Sequence, residues 1–87
     1  MYYVYLIVSE EGDRYIGFTE NPDERLKAHN EGKSVFTRYQ QWKIAYLEAY
    51  LIKKEALIRE KRLKHDGRAR RQLYQRAKES IESSWLL

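Results

Sequence analysis

The chain has 87 residues, is 43% hydrophobic and 14% aromatic, contains no cysteine and carries a net charge of +4 with a pI of about 9.4. That length holds one core and no second lobe, the apolar content excludes a disordered chain, and the lack of cysteine excludes a disulfide framework or a thiolate metal centre. No apolar run has the length of a membrane span and the first residues lack the basic start of a signal peptide, so the expectation is one unprocessed domain over residues 1–87, cytoplasmic, with no membrane association.

Tyr2 to Val8, "YYVYLIV", is β-branched and aromatic throughout, which predicts a strand covered on both faces. "SEEGD" is its turn, with Gly12 for the reversal, and "RYIGFT", Arg14 to Thr19, returns as an antiparallel partner. A turn centred on Glu11 sets odd positions opposite odd positions and brings Tyr5 and Tyr15 to one face of the hairpin. Gly17, inside the second strand, marks either a bulge or the close approach of a ligand or another backbone.

A helix opens at "NPDE", where Asn21 caps, Pro22 takes the first helical position and the acids favour the positive helix end; it runs to about Asn30 and stops at Gly32. "GKSVFTRYQQ" is a polar loop. Trp42 to Leu51 reads as a third strand, with Ala45 and Ala49 out of character. From Lys53 the period becomes helical up to about Gly67, and Ala69, Leu73, Ala77 and Ile81 predict one last helix from Arg68 to Ser83. The fold class is α+β, a three-stranded antiparallel sheet flanked by helices in the order ββαβαα.

Glu60 stands out from this pattern. It projects between Ala56 and Leu63 on one side and Leu57 and Lys64 on the other, toward the sheet, where either the helix end is more open than the pattern implies or an ionised carboxylate meets a cation: an arginine in an ion pair, or a metal. Arg25 and His29, four apart, leave one side of the first helix, a solvated face or part of a site. The basic run from Arg59 to Arg71, with Lys33, Arg38 and Lys43, is either a solvated surface or a phosphate-binding one, and Lys61, Lys64, Arg68 and Arg71 join Lys33 and Arg38 as candidate nucleic-acid contacts. An arginine, phenols, an imidazole and an isolated carboxylate are the parts needed to hydrolyse a phosphodiester with one hard cation.

Tyr3-Val4-Tyr5, Tyr15-Ile16-Gly17 about ten residues on, Arg25 and His29 in a helix, and Glu60 in "ALIREKRLK" together resemble the GIY-YIG nuclease superfamily, over Tyr2 to about Arg71. The likeness is to its small stand-alone bacterial members, and also to the GIY-YIG domains of structure-specific junction endonucleases and of the excision-repair incision subunit. The resemblance implies the same sheet-and-helix fold, a DNA endonuclease with a repair or processing role, and one divalent ion, Mg2+ or Mn2+. It places Tyr5 and Tyr15 as the motif tyrosines, Arg25 as the catalytic arginine, Glu60 as the metal ligand and His29 as a frequent catalytic histidine. A phenol of pKa about 10 is a poor base at neutral pH, which makes His29 the simpler base. Three positions depart from the family pattern: Tyr3 replaces the first motif glycine, Phe18 stands where some repair members have lysine, and no asparagine follows Asn30. The alternative is a non-catalytic nucleic-acid-binding module of the same fold. Either form leaves room for a protein partner that supplies substrate choice, met through the apolar tail Trp85, Leu86 and Leu87 unless that tail packs on the sheet.

Overall fold

A computed structural model describes all 87 residues. Tyr2–Ser9 (β1) is the middle strand of an antiparallel sheet ordered β2-β1-β3, with Arg14–Thr19 (β2) on one side and Trp42–Tyr50 (β3) on the other. Pro22–Asn30 (α1) joins β2 to β3, and Lys53–His65 (α2), Gly67–Arg76 (α3) and Lys78–Ser83 (α4) follow. The α+β class and the ββαβαα order hold, with the last helix in two pieces. Asn21 caps α1 by accepting from the Glu24 amide at 3.2 Å, Pro22 takes its first turn, and Gly32 turns the chain away with φ +77°.

Both faces of β1 are covered, as its unbroken apolar text requires. Val4, Leu6 and Val8, with Ile16, pack against Ala56 and Leu63 of α2, Ala69 and Leu73 of α3, and Ala77 and Ile81. Tyr5 and Ile7 look the other way and form a smaller cluster with Trp42, to which Leu26 of α1 and Ile44 add. Strand β3 serves both clusters because its register with β1 slips between Leu6 and Ile7, where Tyr46 pairs with Leu6 but Ile44 pairs with Ile7. Ala45 is the extra residue. Two positions that would share a face in a regular strand are thereby turned to opposite sides.

The single last helix expected from Arg68 to Ser83 bends at Ala77, whose backbone (φ −96°, ψ 14°) leaves the helical region. The Ala77 amide still bonds the Leu73 carbonyl and the Ile81 amide the Ala77 carbonyl, both at 2.9 Å, so side-chain spacing persists across the bend. That is why periodicity alone reads one helix. The bend lays Ile81 and Trp85 on the core, and the Trp85 indole N–H donates to the Val8 carbonyl at 2.9 Å. The apolar tail therefore divides: Trp85 packs on the sheet side, whereas Leu86 and Leu87 stay exposed.

Candidate active site at the β2 edge

The hairpin register sets the first pair of side chains. Tyr5 pairs with Gly17 and Ile7 with Tyr15, so both tyrosines share the face opposite α2, with ring centroids 6.5 Å apart. Gly17 carries no bulge, since β1 and β2 stay in register throughout. A Cβ built there would overlap the Tyr5 phenol, so the close approach is made by a side chain of the same sheet. Glycine lets the Tyr5 ring lie flat across β2.

From α1 comes His29, fully buried, with its ring 5.7 Å from Tyr5 and 5.2 Å from Tyr15. Both its nitrogens face hydroxyls: Nε2 lies 2.8 Å from the Tyr5 oxygen and Nδ1 2.6 Å from Thr37 Oγ1. A neutral imidazole has one donor and one acceptor, so one hydroxyl gives and the other receives. Burial, then the charges of Arg25 and Lys64, lower the His29 pKa to about 4 and keep the ring neutral. In the free protein both ring nitrogens of His29 are thus already engaged by hydroxyls, one of them on the buried Thr37. Thr37, in the polar loop before β3 and without any signal in the sequence, is itself buried, and its carbonyl accepts from the Trp42 indole at 2.8 Å. Asn30 closes the loop's ends, accepting from the Trp42 amide at 2.7 Å and donating to its carbonyl at 3.1 Å.

The charged members arrive from both sides of the sheet. Burial raises the Tyr5 phenol above its usual pKa, the adjacent Arg25 guanidinium opposes the rise, and Tyr15 and Glu60 add to it. Arg25 and Glu60 therefore both act on the same phenol. Because β2 is an edge strand, side chains of α2 reach past it: the Lys64 ammonium lies 5.0 Å over the Tyr15 ring and 3.5 Å from Glu60 Oε2. The Glu60 side chain is 22% exposed, and its partner is the lysine one turn on rather than an arginine. Spacing alone contained that pair, as an i,i+4 combination.

No group of three acidic or histidine side chains stands ready to enclose a metal, and Glu60 is the single carboxylate that acts on Tyr5. Mg2+ and similar hard ions are commonly held by one or two carboxylates, with water and substrate phosphate completing the shell. A single carboxylate such as Glu60, here paired with the Lys64 ammonium, fits that demand.

The basic residues separate into two groups. Arg59 is tied to Glu48 of β3, with Nε 2.8 Å from Oε1 and Nη2 3.0 Å from Oε2, so it is withdrawn from any phosphate-binding surface. Arg70 donates to the Leu63 and Lys64 carbonyls at the end of α2, at 3.0 and 3.1 Å, and Lys43 lies over the Trp85 ring at 4.7 Å. Arg38, Lys61, Arg68 and Arg71 are exposed on the surface, as is Lys33, which pairs with Glu31 at 3.4 Å. Lys64 alone among the candidate phosphate contacts lies inside the tyrosine and glutamate cluster.

A hairpin with two facing tyrosines, an arginine and histidine on the following helix and a glutamate on the next define a domain of the GIY-YIG kind. The GIY-YIG catalytic domain profile matches residues 1–75, and the chain belongs to that family, whose members are generally divalent-metal-dependent endonucleases. Its relatives include a UPF0213 protein of Bacillus licheniformis, 35% identical over 75 residues (84% of this chain, 77% of the relative), and one of Bacillus velezensis, 30% identical over 86 residues (92% and 87%). The solution NMR structure of a UPF0213 protein from Bacillus halodurans superimposes with a TM-score of 0.55 at 33% identity, covering 86% of this chain and 84% of that one.

Proposed function

We propose that this chain is a divalent-metal-dependent DNA endonuclease that hydrolyses phosphodiester bonds in DNA repair or processing. The observation that carries this reading is the meeting of Tyr5, Tyr15 and His29, from β1, β2 and α1, at one sheet edge, where the Lys64 ammonium of α2 lies over Tyr15 and pairs with Glu60. Glu60 would hold the divalent ion, Mg2+ or Mn2+, which supplies charge neutralisation at the scissile phosphate. To do so, Glu60 would give up its ion pair with the Lys64 ammonium. Arg25 binds the phosphate and offsets the charge that builds on it during attack.

Tyr5 handles the proton of the attacking water. Its hydroxyl is fixed by His29 Nε2, and when it takes a proton from water it passes its own to that nitrogen. Lowered to about 4, His29 is a weaker proton acceptor in the free protein than an ordinary imidazole. The substrate changes this balance in part. Burial is the largest cause of that depression and persists in the complex; the smaller contributions of Arg25 and Lys64 are the ones a bound phosphate anion would offset. Tyr15, under the Lys64 ammonium, orients the water or the phosphate from the open side.

The test incubates purified protein with duplex, flap, branched and single-stranded DNA, with and without Mn2+, beside Glu60→Ala. Metal-dependent cutting that Glu60→Ala loses while still binding DNA is the expected result. Binding with no cutting of any substrate would instead identify a non-catalytic nucleic-acid-binding module.

A further inference from the structure

Beside the candidate active site an open groove of about 390 Å³ runs along the β2 edge. Its apolar surface is mostly aromatic: Tyr15 from β2, Tyr74 from α3 and Phe36 from the loop before β3. Its polar lining is cationic, with Arg14, Lys64 and Arg70 and no acid among the residues that border it. Arg14 stacks over the Tyr74 ring at 4.7 Å, and Arg70 is held by two helix-end carbonyls, so two of the three cations are already fixed in place.

Phe36 is the unusual member. It is 81% exposed, yet its neighbour Thr37 is fully buried and bonded to His29 and Trp42. A phenylalanine on a freely moving loop would fold down onto the apolar surface beneath it, whereas this one is presented to solvent by an anchored backbone. A ring held out from an anchored backbone, in a groove that other aromatics also line and cations border, suits a flat group that carries negative charge next to it. A phosphate alone would need no rings, and base pairs in an intact duplex keep their faces covered by their neighbours.

We propose that this groove is a stacking pocket for an unpaired base of DNA, which Phe36 and Tyr15 receive while Arg14, Lys64 and Arg70 meet the flanking phosphates. Its position rests on the nuclease reading above, since Tyr15 and Lys64 belong to both sites and would set the stacked base beside the scissile phosphate. The preferred substrate is then DNA with at least one unpaired nucleotide at the cut, such as a single strand, a flap or a bulge.

The test is a binding measurement without cutting. Fluorescence anisotropy in EDTA compares a single-stranded oligonucleotide with one of the same length whose internal nucleotides are abasic, so that phosphates remain and bases do not. The wild-type protein binds the intact strand about tenfold more tightly, the scale of one base–aromatic stack. Phe36→Ala removes that preference, Phe36→Trp restores it, and Val35→Ala, 70% exposed and outside the groove, leaves it unchanged. Phe36→Ala also leaves affinity for a fully paired duplex unaltered. Equal wild-type affinity for the intact and abasic strands, or a full preference kept by Phe36→Ala, would overturn the proposal. Because these arms use no metal, failure to cut in Mn2+ would count against the nuclease alone.

Discussion

Replacing Gly17 with alanine should damage the site through one contact, and its size follows from the geometry. The new Cβ overlaps the Tyr5 ring and hydroxyl, and Tyr5 is only 3% exposed, so the ring has no free space to enter. Overpacking of this kind costs about 1–3 kcal/mol. Displacing the phenol also removes the 2.8 Å bond to His29, and a buried imidazole nitrogen without its partner adds about 1–3 kcal/mol. Alanine returns about 0.5–1 kcal/mol because glycine is the poorer strand residue. The net loss is about 3 kcal/mol, a large share of the roughly 4–13 kcal/mol that a domain of 87 residues has available. Urea denaturation at pH 7.5 should show a lower midpoint with an unchanged slope. The decisive comparison uses a Tyr5→Leu background, which lacks the ring atoms that clash. There Gly17→Ala should stabilise by about 0.5 kcal/mol, because only the backbone term is left. An equal loss in both backgrounds would refute the overlap as the reason for glycine at this position.

The neutral, buried His29 predicts a pH dependence. Its folded pKa of about 4 lies below the unfolded 6.5, so the unfolded chain binds the proton first; this contribution is complete above about pH 6.5 and is lost as pH falls toward 4. The full shift corresponds to roughly 3 kcal/mol, and melting temperatures measured from pH 7.5 to 4.5 should fall more for the wild type than for His29→Gln. Parallel profiles would contradict the assignment of a neutral ring. At Glu48, burial works to raise the carboxyl pKa, but the Arg59 and Tyr50 hydrogen bonds outweigh it and hold the group low. Arg59→Gln should then destabilise by about 2 kcal/mol, while the slope of DNA affinity against salt stays at the wild-type value. Arg71→Gln should do the opposite, leaving the melting temperature in place and reducing the salt slope by about one.

What the sequence discloses and what it hides differ by the range of the interaction. Tyr5 and Tyr15 could be set on one face because a tight turn fixes register locally, and the start of α1 could be read from Asn21 and Pro22 because a cap acts within one turn. Gly17 left a bulge and a close approach equally open, because the atom that approaches is a side chain of the neighbouring strand and no local pattern names it. Arg59 looked like one more cation in a basic run until β3 placed Glu48 against it. Thr37 and Phe36 sit in a segment without periodicity, and only the folded position of His29 distinguishes the residue that is pinned from the one that is displayed. The bend at Ala77 escaped because its hydrogen bonds continue on either side.

The strand at the centre of the sheet has a consequence for how the molecule comes apart. Its alternate residues belong to two separate apolar clusters, one beneath α2 to α4 and one beside α1, and neither can persist once that strand departs. Each cluster holds one tryptophan, Trp85 in the first and Trp42 in the second, so nature has supplied an indole reporter on either side of the shared element. Loss of the two fluorescence signals along a single curve is the behaviour of a molecule that melts all at once, with the chemistry of the hairpin and the integrity of the helical layer surviving or failing together.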